Sequence, residues 1–230
     1  IGWPLGHSLS PVMHNRAFAA LGLNFHYLPI EVDADRLGRV AAGLACMNFA
    51  GYNITIPHKV RIMEHLDAVD ELAGIIGAVN TVVLADGRST GYNTDGLGFV
   101  RTLETEGGLT LEGRRVLLLG GGGAARGIAM TMAFHGAREV VLCNRTSARA
   151  EAIAADINAR VRPCAAAVPR EPAALQAAVE ACEVLVNATS LGMHPEADPL
   201  PVEPRCLRPG LVVCDIVYNP RETPLLREAA

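Results

Sequence analysis

Three polar clusters carry the groups that could do chemistry: Asn53-Ile54-Thr55-Ile56-Pro57-His58-Lys59, Asn80-Thr81 and Asn93-Thr94-Asp95. Together they supply amides, hydroxyls, one lysine and one carboxylate, a donor and acceptor set suited to a small polyol. Lys59 and Asp95 are the candidates for proton transfer. Each cluster follows or ends a strand-like run (Tyr52 to Ile56, Val79 to Leu84, Ser89 to Tyr92), so the three could converge on one sheet edge. Lys59 comes two residues after Pro57, and proline is favoured at the first helical position. The pattern therefore predicts Lys59 in the first turn of a helix over Val60 to Leu66. There the helix dipole disfavours an ammonium by a few tenths to about 1 kcal/mol and eases proton transfer. An exposed helix lysine satisfies the same pattern. Asp95 serves equally well as a helix N-cap, and Asn53, Thr55 and Asn80 as turn formers. Upstream, His7-Ser8-Leu9-Ser10-Pro11 places two hydroxyls ahead of a helix through Leu21. They suit a carboxylate, or simply a Ser10 cap with Pro11 at the first helical position.

A second kind of site follows in the other half. Val116 to Leu119 runs into Gly120-Gly121-Gly122-Gly123-Ala124-Ala125 and then a helix-like stretch through Phe134. Gly120, Gly122 and Ala125 fit the dinucleotide fingerprint in its strand-turn-helix context, where glycine lets a pyrophosphate approach backbone N–H groups. A plain glycine-rich turn is the alternative. After the next apolar run, Val140 to Cys143, an NAD site would place an acidic residue, but the chain has Asn144-Arg145-Thr146 and then Arg149. Guanidiniums suit a 2′-phosphate, so NADP(H) is expected rather than NAD. The competing reading is a Thr146 N-cap with solvated arginines.

These groups need elements to hold them. Short apolar runs at Val116 to Leu119, Val140 to Cys143 and Val184 to Val186, separated by Ala-rich helical stretches, predict a parallel sheet with helices on both faces. The first half predicts strands at Tyr27 to Val32 and Tyr52 to Ile56, helices at Ala34 to Cys46 and Val60 to Leu66, and a hairpin turning at Asp86-Gly87. The expected fold class is α/β: an N-terminal α/β substrate domain (1–94) and a C-terminal Rossmann-type, doubly wound parallel sheet (95–230). The helix starting near Asp95 links them, which would put the polar triad near the cleft, a favoured ligand position.

With 230 residues, 50% apolar composition and 19% charge, the chain can bury an ordinary core. A formal charge of −4 and scattered arginines argue against nucleic acid as a partner. No apolar run reaches the roughly 18 residues a membrane span needs, and the start lacks a signal-peptide pattern, so a cytoplasmic protein is expected. The six cysteines show no C-x-x-C spacing and read as reduced, mostly buried side chains. No histidine or cysteine spacing completes a metal shell, so no metal is expected. Neither a G-x-S-x-G elbow nor a P-loop lysine is present, which weakens hydrolase and kinase readings.

Taken in order, these motifs together with Asn187-Ala188-Thr189-Ser190 and Asp215-Ile216-Val217-Tyr218-Asn219-Pro220 resemble the shikimate dehydrogenase family along nearly the whole chain. The resemblance implies NADP-dependent interconversion of 3-dehydroshikimate and shikimate, with Lys59 and Asp95 as the catalytic pair and Asp95 orienting both a substrate hydroxyl and Lys59. It implies that Ser8 and Ser10 bind the substrate carboxylate, while Asn53, Thr55, Asn80 and Tyr218 hold the ring. Gly120, Gly121, Gly122, Gly123, Ala124 and Ala125 would take the pyrophosphate, and Asn144, Arg145, Thr146 and Arg149 the 2′-phosphate. Thr189 and Val217 would lie along the cofactor. The chain starts without Met on Ile1-Gly2, and family members continue past its last residues with a Gly-x-x-Met-Leu-x-x-Gln-like segment and further helices, so it is expected to be truncated at both ends. Monomer and homodimer are both open. The resemblance extends to quinate/shikimate dehydrogenases of broader specificity. A catalytically silent, metabolite-sensing homologue would be expected to have lost Lys59, Asp95 or the glycine loop, and all three are present.

Overall fold

The computed structural model describes every residue except His7 and residues 195–197. His7 of the opening motif thus lies outside the described residues. The chain divides into two units, Ile1–Asn93 and Thr94–Ala230.

In the first unit, α1 (Ser10–Ala20) and α2 (Leu37–Cys46) precede β1 (Gly51–Asn53), β2 (Ala68–Val69), α3 (Glu71–Ile76), β3 (Thr81–Ala85) and β4 (Arg88–Tyr92). The sheet order is β1-β3-β4-β2, antiparallel except where β2 runs parallel to β4. The hairpin turns at Asp86-Gly87 with φ of 52° and 71°, the left-handed pair that a two-residue loop requires. Leu37, Leu44, Ile54, Ile62, Val79 and Val82 form the core beneath the sheet.

Three expectations need correction. Tyr27 to Val32 is not a strand but a single parallel bridge between Gly2 and Glu31. Pro29 within the run and Pro4 opposite it have no N–H to extend a ladder. The Tyr52 to Ile56 strand ends at Asn53. Even so, Ile54 and Thr55 still donate N–H groups to the carbonyls of Asn80 (2.8 Å) and Ile1 (3.0 Å), which keeps the chain paired up to Pro57. The helix expected over Val60 to Leu66 is a 3-10 helix, Arg61–His65. Lys59 lies in the turn before it, so no α-helix stands behind the dipole effect expected there.

The second unit runs α4 (Asp95–Thr105), β5 (Arg115–Leu119), α5 (Gly123–Phe134), β6 (Glu139–Cys143), α6 (Ser147–Arg160), β7 (Ala165–Val168), α7 (Pro172–Ala181), β8 (Val184–Asn187), β9 (Val212–Asp215) and α8 (Pro224–Ala229). All five strands are parallel, in the order β7-β6-β5-β8-β9. Leu117 and Leu119 pack with Val179 of α7 and Leu225 of α8. Val116 and Leu118 point to the opposite face by strand alternation and are also fully buried. A strand buried on both faces must be nearly continuous in apolar residues, as β5 is. Gly96 holds α4 against α5, because a Cβ there would collide with Thr131 and approach the Gly127 carbonyl at 2.9 Å.

Among the described residues, no helix is long and apolar enough to cross a membrane. Nor is any group of three or more His, Cys, Asp or Glu among those described residues arranged to hold a metal ion. All six cysteines are unpaired; Cys143, Cys164, Cys182 and Cys206 are buried, Cys214 is half-buried and Cys46 is exposed.

Candidate active site

In the first unit two of the expected ring-holding residues, Asn53 and Asn80, share a hydrogen-bonded cluster with Thr81 and Tyr27. Asn53 is fixed at the end of β1, where its amide nitrogen donates to the Thr81 hydroxyl (3.0 Å) and, more weakly, to the Asn80 carbonyl (3.4 Å). Thr81 in turn donates to the Asn80 side-chain oxygen at 3.0 Å. Tyr27 donates its hydroxyl to Asn53 Oδ1 at 3.0 Å. Burial pushes the Tyr27 phenol up, while a hydrogen bond from Ser10 opposes this. Asn15 fixes the Tyr27 backbone, bonding both its N–H (2.8 Å) and its carbonyl (3.0 Å), and His14 stacks on the ring at a centroid distance of 4.5 Å. In sequence Tyr27 has no signal beyond a phenol at the start of the Tyr27 to Val32 run.

Lys59 is half-buried, and its carbonyl accepts the Val79 N–H at 2.8 Å. That bond ties the turn carrying Lys59 to the residue preceding Asn80. The neighbouring His58 ring is fully buried and bonds the Val32 carbonyl through Nε2 (2.6 Å), which anchors the turn from below. Thr55 and Ser8 are exposed, and Ser10 is the first residue of α1 rather than its cap. In the second unit Asp95 is exposed in the first turn of α4. Thr94 holds the N-cap position without a side-chain capping bond.

The glycine loop opens a cleft of about 340 Å³ at the C-terminal ends of β5, β6 and β8. Gly120, Gly121, Gly122, Asn144, Arg145, Arg170, Thr189 and Ser190 are among its lining residues. Gly120 has φ of +134°, and a Cβ there would lie 2.6 Å from the Ala188 carbonyl oxygen. At Gly121 a Cβ would lie 2.8 Å from Asn144 Nδ2 and 2.9 Å from Arg149 Cβ. Gly122 is the N-cap of α5 and has open space where a Cβ would be. Bare backbone at the start of a 12-residue helix, flanked by an amide and a guanidinium, fits a dinucleotide pyrophosphate and its adenosine end. Gly123, Ala124 and Ala125 continue into α5, with Ala125 fully buried, and do not line the cleft. Thr146 and Arg149 are exposed beyond it; Thr146 caps α6 by position only, and its carbonyl accepts from Asn144 Nδ2 at 2.9 Å.

Opposite the glycines, Asn187 organises the β8 end. Fully buried, it donates to Asp215 Oδ1 (2.9 Å) and the Leu191 carbonyl (3.0 Å), and accepts from the Thr189 N–H (3.2 Å) and hydroxyl (2.6 Å). Asp215 also receives the Val217 N–H (2.9 Å) and the Thr223 hydroxyl (2.8 Å). This network shapes the loop that presents Thr189 to the cleft. Val217 itself is buried and outside the cleft lining, while Tyr218 is 79% exposed.

Residues 1–82 match the family model described as the shikimate dehydrogenase substrate binding domain, and residues 103–195 the model described as shikimate / quinate 5-dehydrogenase. Over 232 aligned residues the chain is 45% identical to the shikimate dehydrogenase (NADP(+)) of Bacillus cereus strain B4264, covering all of this chain and 81% of that one. The chain belongs to the shikimate dehydrogenase family. Solved members of that family share the fold closely. Shikimate 5-dehydrogenase from Listeria monocytogenes, in complex with shikimate and NAD, superposes with a TM-score of 0.93 at 39% identity, covering 99% of this chain and 80% of that one. The Thermus thermophilus enzyme, in complex with NADP(H) and shikimate, gives 0.81 at 38% identity, covering 99% and 81%.

Proposed function

We propose that this protein is an NADP-dependent shikimate dehydrogenase, reversibly reducing 3-dehydroshikimate to shikimate in aromatic amino-acid biosynthesis. The observation that carries the reading is the Ser10–Tyr27–Asn53–Thr81–Asn80 cluster beside the turn bearing Lys59, on a chain that also has the Gly120–Asn144–Arg145 cleft. The cluster offers amides and hydroxyls to a polyhydroxylated ring, and family membership makes shikimate the ring of choice.

NADPH, when bound, would supply the hydride for the C3 carbonyl carbon. Ser8 and Ser10 hold the carboxylate, while Asn53, Thr55, Asn80 and Tyr218 take the ring hydroxyls. Lys59 gives a proton from Nζ to the carbonyl oxygen as it becomes a hydroxyl, and Asp95 accepts a hydrogen bond from a neighbouring ring hydroxyl. The charge that develops on that oxygen is met by a nearby cation, which favours the transition state over the ground state. Gly120, Gly121 and Gly122 would hold the pyrophosphate at the start of α5. Asn144 and Arg145, which line the cleft, would hold the adenosine 2′-phosphate, and Thr189 would flank the cofactor. The cysteines, all unpaired, suit a cytoplasmic enzyme, acting as monomer or homodimer.

Reduction of NADP⁺ or NAD⁺ by the purified protein with shikimate or quinate tests this. Fastest turnover is expected for shikimate with NADP⁺. Preference for quinate would move the protein to the broader-specificity reading, and binding of shikimate without turnover to a sensor.

A further inference from the structure

Sequence pattern pairs Arg145 with Arg149 as the cations for the cofactor, but the cleft is lined differently. Its two guanidinium-bearing residues are Arg145 and Arg170, and Arg149 is not among the lining residues. We propose that Arg170, two residues beyond β7, is a second ligand of the adenosine 2′-phosphate and a determinant of NADP over NAD.

Strand geometry brings Arg170 there. β7 pairs in parallel with β6, Cys143 opposite Val168, so the loops after the two strands leave the same edge of the sheet side by side. Cys143 Sγ donates to the Pro169 carbonyl at 3.8 Å, which ties those two ends together. Asn144-Arg145 follow Cys143 directly and Arg170 follows Pro169, so the two guanidiniums are presented from adjacent strand ends. In a fold of this type the end of β6 is where the ribose 2′ position is read. Arg170 is exposed and, like Arg145, takes part in no ion pair among the described residues, Glu171 beside it included. By contrast Arg114, Arg115 and Arg126 in the same unit are each bound to a carboxylate. A phosphate dianion gains from a second forked donor, and a guanidinium held in no ion pair has no carboxylate to release when it binds one.

The proposal rests on the NADP reading above. Calorimetric titration of NADP⁺ and NAD⁺ into wild type, Arg170→Ala and Arg170→Lys tests it without relying on turnover. Because Arg170 is an exposed loop residue, both variants keep the fold. Arg170→Ala is expected to weaken NADP⁺ about tenfold, the cost of one exposed charge-assisted contact, and to leave NAD⁺ within about twofold. Arg170→Lys, a point charge without the fork, falls between them. Adenosine 2′,5′-bisphosphate, which lacks the nicotinamide half, follows NADP⁺. Equal loss for both dinucleotides, or no loss for either, overturns the role of Arg170 while leaving the NADP reading intact. Equal affinity of the wild type for NADP⁺ and NAD⁺ overturns the NADP reading itself and Arg170's role with it.

Discussion

Gly120 and Gly122 occupy the same fingerprint for different physical reasons, and alanine at each separates folding from binding. Gly120 has φ of +134°, a region costing an L-residue about 1–3 kcal/mol. Its added Cβ would lie 2.6 Å from the Ala188 oxygen and 3.0 Å from the Ala188 carbon, so the start of the β8 loop must move away. Overpacking of that kind adds about 1–3 kcal/mol. Gly120→Ala should therefore lose about 2–6 kcal/mol, a fall in Tm of roughly 4–24 °C for a chain of this size. Gly122 has φ −93° and ψ −176°, an extended conformation any residue adopts, and nothing lies within 4 Å of its Cβ position. Gly122→Ala should change Tm by no more than about 2–4 °C, the difference between glycine and alanine at an N-cap. Its methyl instead enters space that a pyrophosphate needs, so NADP⁺ binding should weaken by about tenfold or more. Thermal melts and calorimetric titration of both variants check the pair. Gly120→Ala melting with the wild type, or Gly122→Ala binding NADP⁺ as tightly as wild type, would refute the division of roles.

Two further outcomes follow from the same framework. Asn187→Ala removes two donated and two accepted bonds from a fully buried residue and leaves Asp215 short of a donor, so stability should fall by about 2–4 kcal/mol by denaturant titration, with weaker NADP⁺ binding as the Thr189 loop loosens. The Glu183 carboxyl is held below the usual glutamate range, first by the Arg115 backbone N–H and then by the Arg114 guanidinium. A depressed carboxyl contributes stability above its unfolded pKa of about 4.3 and loses it as pH falls through the folded value. The Tm gap between wild type and Glu183→Gln should accordingly be level above about pH 5 and close on further acidification, whereas a gap unchanged into strong acid would contradict the assignment.

Local chemistry decided what could be read in advance. The β5–glycine loop–α5 segment is legible because backbone conformation there admits few residue types, and β5 and β6 because strands buried on both faces are uninterrupted runs of Val and Leu. The Asp86-Gly87 hairpin was visible for the same local reason. What depends on distant partners was not. Tyr27 to Val32 looks like a strand by composition, but its neighbour in space, around Gly2, offers one bridge before Pro4. Pro57 suggested a helix with Lys59 in its first turn, yet the following residues wind as a 3-10 helix, and the turn is set by Val79 and Val32 across the fold. Asn187 and Asp215 are separated by 28 residues and meet only because β8 and β9 are neighbours. Arg170 follows Ala-rich β7, whose residues carry little strand signal.

The most direct test of the central claim is single-turnover and steady-state reduction of NADP⁺ by shikimate in wild type and Lys59→Ala, with shikimate affinity measured in parallel. Loss of a positioned proton-transfer group should lower kcat by about 10²- to 10⁴-fold while shikimate still binds. Lys59→Ala turning over at near the wild-type rate with substrate bound would contradict the account.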